Sequence, residues 1–213
     1  MSVDLEVRSV PASRLLATLA FGGALAGLLV ASVYEKTLPS IQRYADSRIA
    51  GAVSEVLGAP ARLETLYLIN DKLSRTPPVG VELRVVTKAY VGYDDAGKRV
   101  GVAVEAVEPG FADDVRLMVG FDPGTRMLKG YAMLGQKETP GLGDKIEKDT
   151  AFIARFQGKV APVKGTKSAT ADASTVQTIT GATISSRAVI QIINNAVALW
   201  QPRLQAFDKE GVQ

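Results

Sequence analysis

An uncharged apolar run near the amino terminus restricts what this chain can fold into more than any other feature. Residues 15–34 read LLATLAFGGALAGLLVASVY, 20 residues without a charge, which is enough to cross a bilayer as a helix. A cleaved signal peptide is the alternative, but its apolar region is shorter, about 7–15 residues, and ends at a small-residue cleavage site. No A-x-A site stands directly after this run, so we predict an uncleaved membrane anchor in contact with the lipid bilayer.

The charges beside this run do not decide its orientation. Arg8 and Arg14 precede the run, and Lys36, Arg43 and Arg48 follow it. Because cations flank both ends, the positive-inside rule favours neither orientation.

The chain contains neither cysteine nor histidine, and this excludes many kinds of site. Disulfides, thiolate nucleophiles, iron–sulfur ligation, haem held by histidine and the usual zinc sites need one of these residues, as does a Ser-His-Asp triad. Redox chemistry would therefore depend on an organic cofactor. The net charge is only +3, with lysine and arginine scattered among aspartate and glutamate, so no nucleic-acid partner is predicted.

The residues after the apolar run divide into a helical stretch and a domain. After a tail at 1–14 and the span at 15–34, apolar side chains recur at helical spacing in residues 39–57, and Gly58 and Pro60 follow. We therefore predict a connecting helix and linker over residues 35–79 and a domain over residues 80–213.

This domain is predicted to be α+β, with an antiparallel sheet and flanking helices. Apolar and polar residues alternate, as in β-strands, in four segments: VELRVVTKAYVGYD, RVGVAVEAVEP, DVRLMVGFD and RMLKGYAMLG. The turn sequences DDAG and DPGT join these segments in pairs. A short helix over GDKIEKDTAFIARFQG, a mobile loop that could contain one strand over residues 158–176, and a last helix from about residue 183 to 206 follow. Antiparallel strands with segregated helices define the α+β class.

The segment TGATISS at residues 180–186 gathers hydroxyl side chains at the start of the last helix. Its Gly-Ala pair leaves room for a ligand beside the backbone, and Thr183 is predicted to be the N-cap. A helix N-terminus offers unpaired N–H groups and a partial positive charge, which together suit a phosphate. The same hydroxyls could also serve only as a helix cap, so the residues alone leave both interpretations open.

Two segments resemble the signature of proteins that carry covalent FMN. TGAT, followed by Ile184 and Ser185, is similar to the S/T-G-A-T-x-S/T motif, in which a flavin transferase joins the FMN phosphate to the last threonine by a phosphoester bond. The resemblance implies that this residue is Thr183 and not Thr180. Residues 136–146, QKETPGLGDKI, resemble the E-T-P-G-L-G stretch of the same family, and EPGF at residues 108–111 is a third match.

These matches occur in the order found in G subunits of the Rnf ion-translocating ferredoxin:NAD oxidoreductase, a family that the chain resembles over most of residues 80–205. The C subunit of the Na⁺-translocating NADH:quinone oxidoreductase is a close relative of that family and remains an alternative. Two others are a membrane-anchored regulatory module that binds FMN, and an adaptor domain in which TGATISS is only a helix cap.

The resemblance implies an electron-relay subunit that has no complete active site or catalytic residue of its own. FMN bound covalently would carry electrons between neighbouring subunits. The implied partners are other integral membrane and redox subunits of the complex and a flavin transferase for maturation. The resemblance also implies a single pass through the cell inner membrane, with the N-terminus in the cytoplasm and the FMN domain in the periplasm.

The resemblance further implies cofactor contacts from both segments. The isoalloxazine ring would lie against Thr139, Gly141 and Leu142, while Lys145 could pair with a reduced anionic flavin or simply be solvated. Ser185 and Ser186 would support the phosphate. The full implied set is Glu138, Thr139, Pro140, Gly141, Leu142, Gly143, Lys145, Thr180, Gly181, Ala182, Thr183, Ser185 and Ser186.

One position departs from the transferase motif, which usually carries an aspartate about six residues before the modified threonine. Gln177 stands there in this chain, and the nearest acid upstream is Asp172.

Overall fold

A computed structural model describes residues 11–168 and 172–210. Its first element, helix α1, runs without a break from Ala12 to Leu57, 46 residues. The chain divides into two compact units, residues 1–47 and 48–213, and each is described by itself. Of the tail predicted at 1–14, residues 1–10 lie outside the described residues.

Helix α1 includes both the predicted span and the predicted connecting helix. Among the residues that the structure describes, it is the one helix long and apolar enough to cross a membrane. The prediction that a second helix begins near residue 39 is wrong, because Pro39 lies inside α1. A proline removes one backbone hydrogen bond from a helix, and the intact turns on both sides keep α1 continuous.

Six antiparallel strands form the main sheet of the second unit. They are β1 (Arg62–Ile69), β2 (Lys72–Ser74), β3 (Lys88–Tyr93), β4 (Arg99–Pro109), β5 (Asp114–Phe121) and β6 (Leu128–Gly135), in the spatial order β2-β1-β3-β4-β5-β6. Each pair of neighbours is antiparallel. The α+β class with an antiparallel sheet is therefore confirmed.

The linker predicted at 35–79 differs from the structure, because β1 and β2 belong to the sheet. Asn70 and Asp71 join these strands with φ of 48° and 67°, the left-handed conformation of a two-residue hairpin turn. The strand predicted from residue 81 begins only at Lys88. Residues 81–85 form exposed turns instead, so their alternating apolar pattern has no sheet partner.

Both faces of the sheet are covered. On one face, the end of α1 packs Ala52, Val53, Val56 and Leu57 against Ala103, Met118 and Ala132. A side chain at Gly120 would place its Cβ 2.9 Å from the Cβ of Val56, so this close approach of helix and sheet requires glycine.

The other face holds the larger core and the remaining helices. These are α2 (Lys145–Lys148), α3 (Thr150–Ala154) and α4 (Thr183–Glu210). The apolar face predicted for the last helix is confirmed, because its residues are buried in this core: Val189, Ile192, Ile193, Ala196, Val197 and Trp200. Trp200 is 1 % exposed.

The segment predicted to be a mobile loop that could contain one strand, residues 158–176, does contain a short strand. Its strand β7 (Lys164–Thr166) pairs in parallel with β8 (Thr175–Gln177). Asn194 of α4 holds the backbone of Val163 from both sides, accepting from its N–H at 2.8 Å and donating to its carbonyl at 2.9 Å. Residues 169–171 of the predicted loop lie outside the described residues.

Candidate functional site

A cavity of about 360 Å³ brings together the two segments that resemble the flavin-binding signature. One wall is the loop between β6 and α2, and the opposite wall is the first turn of α4. The turn between β4 and β5 closes a third side. The lining residues are Phe111, Glu138, Thr139, Leu142, Gly143, Gly181, Ala182, Thr183, Ile184 and Ser185.

The β6–α2 loop is shaped by one backbone carbonyl. The carbonyl oxygen of Thr139 accepts the N–H groups of Leu142, Gly143 and Asp144 at 3.2, 3.0 and 3.3 Å. Gly141, at the tip, has a φ of +76°, which glycine adopts without steric cost. The loop therefore turns sharply and presents Thr139 and Leu142 to the cavity.

Helix α4 begins around a different cap from the predicted one. The first helical hydrogen bond joins the Ser186 N–H to the Ala182 carbonyl at 2.9 Å, so Ala182 is the N-cap and Thr183 is the first helical residue. The prediction of Thr183 as the N-cap is wrong, because the left-handed Gly181, with a φ of +83°, turns the chain into the helix one residue earlier. The Ala182 N–H donates to the Ile179 carbonyl at 3.1 Å, whereas the N–H groups of Thr183, Ile184 and Ser185 precede the helical ladder and remain available.

Thr183 places an uncommitted hydroxyl in the cavity wall formed by the start of α4. Its side chain is half-buried, and it lines the cavity. Within residues 11–168 and 172–210, no hydrogen bond involves its hydroxyl. Thr180 is not among the lining residues.

The two serines of the first turn are buried and hydrogen-bonded within the protein. Ser185 is 2 % exposed and Ser186 is fully buried. The Ser185 hydroxyl donates to Glu138 Oε2 at 2.6 Å, and the Ser186 Oγ accepts from the Ile179 N–H at 3.0 Å. Both hydroxyls thus make hydrogen bonds inside the protein.

Glu138 joins three segments around the cavity. Its Oε1 accepts the backbone N–H groups of Phe111 at 2.8 Å and Ala112 at 3.0 Å, while its Oε2 binds Ser185 of α4. Only 4 % of the residue is exposed. Burial acts to raise the pKa of this carboxyl, but the hydrogen bonds from Ser185 and from the backbone of Ala112 and Phe111 outweigh it and lower the pKa.

Two glycines leave the space that the Glu138 carboxylate occupies. A Cβ at Gly143 would lie 2.6 Å from Glu138 Oε2 and 2.9 Å from Ser185 Oγ. A Cβ at Gly110 would collide with Glu138 Oε1 and lie 2.7 Å from the Asp113 carbonyl oxygen. The glycines of both loops are therefore required by the same buried side chain.

Exposed apolar side chains surround the cavity mouth. Phe111 is 65 % exposed, Leu142 49 % and Ile184 54 %. Sequence reasoning assigned no role to Phe111 or Ile184, although Phe111 stands in the EPGF match. Apolar walls beside a helix N-terminus and a free hydroxyl fit FMN, which has a flat ring at one end and a phosphate at the other.

Several residues of the implied set lie outside the cavity wall. Pro140 and Gly141 are exposed at the loop tip, and Lys145 lies on α2. None of these, nor Thr180 or Ser186, is among the lining residues.

Position 177, where the family motif usually has aspartate, is occupied by a residue that bonds to its neighbours. The Gln177 carbonyl accepts from Arg155 Nη1 at 2.9 Å, and its side-chain amide donates to the Lys167 carbonyl at 3.2 Å. Gln177 thus contributes to the β7–β8 region rather than to the cavity.

Comparisons with known proteins agree with this geometry. Residues 110–198 match the sequence model of the FMN-binding domain family. The chain is 30 % identical over 181 residues to the G subunit of the ion-translocating oxidoreductase complex of Shewanella baltica, covering 79 % of this chain and 80 % of the relative. It is 29 % identical over 191 residues to the G subunit of the same complex in Methanosarcina acetivorans, covering 87 % and 92 %.

A solved structure shares the fold. NqrC of Shewanella oneidensis superposes with a TM-score of 0.57 and 17 % identity, covering 71 % of this chain and 87 % of that one. At this identity the likeness concerns the fold. The sequence relatives and the matched domain show that the chain belongs to the family of G subunits of ion-translocating oxidoreductase complexes, with an FMN-binding domain.

Proposed function

We propose that this chain is an electron-relay subunit of a membrane-bound ion-translocating ferredoxin:NAD oxidoreductase, and that its electrons pass through FMN attached to Thr183 by a phosphoester bond. The observation that carries this proposal is the uncommitted Thr183 hydroxyl in the wall of an apolar-rimmed cavity, at the N-terminus of a long helix. The family membership and the matched FMN-binding domain support it.

The residues of the cavity suit the two ends of FMN. A phosphoester at Thr183 would keep one negative charge, which the N–H groups and the dipole of α4 stabilise. Phe111, Leu142 and Ile184 offer apolar surface that keeps water from the ring. The cofactor supplies the one- and two-electron chemistry, and the covalent bond retains it in every redox state.

The lining of the cavity suits electron transfer better than acid–base catalysis. Glu138 is the one ionisable side chain among the lining residues that the structure describes. Its oxygens are occupied by Phe111, Ala112 and Ser185, so it is poorly placed to exchange protons with a substrate. A relay needs only a bound, oriented and tuned cofactor.

Helix α1 fits a subunit with a single pass through the membrane. The proposal includes an N-terminus on the cytoplasmic side and the FMN domain on the periplasmic side of the inner membrane. It also includes contact with other integral membrane and redox subunits, and maturation by a flavin transferase. Purification of the intact membrane complex, followed by identification of its subunits, tests these partners and separates the Rnf assignment from the NADH:quinone oxidoreductase alternative.

Substitution of the attachment residue tests the central part of the proposal. Full-length protein co-expressed with a flavin transferase should gain the mass of one FMN less one water, and its flavin fluorescence should survive denaturing electrophoresis. Thr183→Ala should lose both signals, whereas Ser168→Ala, at an exposed hydroxyl outside the motif and the cavity wall, should keep them. Unmodified wild-type protein in this setting would contradict the proposal and favour an adaptor role.

A further inference from the structure

A buried carboxylate in the cavity wall has no cation beside it. Glu138 lines the cavity and is 4 % exposed, and no salt bridge among the described residues includes it. Three dipoles compensate its charge, the N–H groups of Phe111 and Ala112 and the O–H of Ser185. Hydrogen bonds of this kind favour the ionised form of a carboxyl.

Glu138 is ionised at neutral pH. Burial opposes ionisation, but the hydrogen bonds from Ser185, Ala112 and Phe111 more than offset it, and the pKa lies below its ordinary value of 4.5. The cavity wall therefore carries a fixed negative charge in a poorly solvated position, where charges interact more strongly than in water.

We propose that the Glu138 carboxylate lowers the reduction potential of the flavin in this cavity, which makes Glu138 a positioning and tuning residue and not a catalytic one. The inference rests on the proposed function, since it concerns FMN at Thr183. Reduction adds negative charge to the ring, and a fixed negative charge in the wall opposes this addition. The bound flavin is then a stronger reductant towards the acceptor of its electrons.

Glu138 also holds the cavity walls, so its charge must be tested separately from its hydrogen bonds. Glu138→Gln separates them because the amide has nearly the same shape. The amide oxygen can accept from Phe111 and Ala112, and the amide nitrogen can donate to the Ser185 oxygen, which then acts as acceptor. Ser185→Ala does the opposite, because it keeps the charge and removes one of the groups that compensate it.

Glu108→Gln is a matched control, because Glu108 binds the same helix as Glu138. Glu108 of β4 also contacts α4, through Asn195 Nδ2 at 2.7 Å, but it does not line the cavity. Glu108→Gln therefore removes a carboxylate that bonds to α4 without changing the charge of the cavity wall.

The experiment is an anaerobic spectroelectrochemical titration of full-length, FMN-loaded wild type and the three variants. Glu138→Gln should raise the flavin midpoint potential, Ser185→Ala should lower it, and Glu108→Gln should leave it unchanged. Intact mass shows whether each chain carries FMN. Amide hydrogen exchange at Phe111 and Ala112 in the FMN-free chains provides a second readout, and protection retained in Glu138→Gln shows that the turn is intact.

Opposite shifts in Glu138→Gln and Ser185→Ala support the inference, because loss of structure alone would move both potentials in one direction. An unchanged or lower potential in Glu138→Gln, or shifts of the same sign, would overturn it. If Glu138→Gln carries no FMN or loses amide protection, Ser185→Ala decides: a lower potential supports the inference, and an unchanged or higher one overturns it. A wild-type chain without FMN contradicts the proposed function itself.

Discussion

At the scale of single residues, the cavity depends on the fit between Glu138 and two glycines. Gly143 and Gly110 leave the space that the carboxylate fills, and the carboxylate in turn fixes the β4–β5 turn and the start of α4. A ligand contact could tolerate small changes here, but a buried hydrogen-bonded carboxylate cannot, because displaced partners remain unpaired.

Gly143→Ala should therefore destabilise the FMN-free protein by about 1–3 kcal/mol through overpacking. The added Cβ would lie 2.6 Å from Glu138 Oε2. Thermal or chemical unfolding measures the loss. Gly135→Ala is the control, since nothing lies within 4 Å of its Cβ position, and equal losses in the two variants would contradict the explanation.

The ionisation of Glu138 predicts a dependence of stability on pH. Because the folded-state pKa lies below the ordinary 4.5, the ionised carboxylate stabilises the fold above that pH, and its contribution is lost as the pH falls through the folded value. Glu138→Gln lacks this contribution. The difference in melting temperature between wild type and Glu138→Gln should hence be constant near neutrality and shrink below about pH 4.5. A difference that stays constant down to about pH 2 would exclude a contribution of the ionised Glu138 carboxylate to stability.

At the scale of elements, α2 is held in place by a strand side chain. The Tyr131 hydroxyl donates to the Ile146 carbonyl at 2.5 Å, and its ring meets Phe156 edge-on with centroids 5.2 Å apart. Burial first, and the nearby Asp149 carboxylate second, raise the pKa of Tyr131, so the phenol remains a donor. Strand β6 thus supports the helix that follows the cavity loop.

Tyr131→Phe should keep the ring contact but leave the Ile146 carbonyl without this donor. The expected cost is about 1–3 kcal/mol of unfolding free energy. Urea denaturation with Tyr67→Phe as the control measures it, because the half-buried Tyr67 hydroxyl makes no hydrogen bond to the described residues. A Tyr131→Phe variant as stable as wild type would contradict this role of the hydroxyl.

Sequence patterning predicts the last helix and the central strands, whose apolar residues form the core. The buried face of helix α4 is the predicted apolar face, and the bounds of β4, β5 and β6 are close to those of the alternating segments in the sequence. The sequence pattern does not predict strand β1, because only Leu66 of its eight residues is buried and the stretch before it is helical. The role of Glu138 is also beyond sequence reasoning, since its partners Phe111 and Ser185 are 27 and 47 residues away.

At the scale of the whole molecule, a helix suited to a membrane and a domain suited to one flavin are joined in a single chain. The family resemblance identifies the two cavity segments, and the structure brings them together around one cavity. In the proposed function, covalent attachment of the FMN would let such a chain keep its flavin through each turnover. This account depends on which hydroxyl carries the FMN.

Fragmentation mass spectrometry of the tryptic peptide from FMN-loaded protein tests this most directly. The peptide between Lys167 and Arg187 contains nine serine and threonine hydroxyls, so the fragment masses must locate the ester. The account predicts a single FMN phosphoester on Thr183. An ester on Thr180 or any other hydroxyl, or flavin that is released when the protein is denatured, would contradict it.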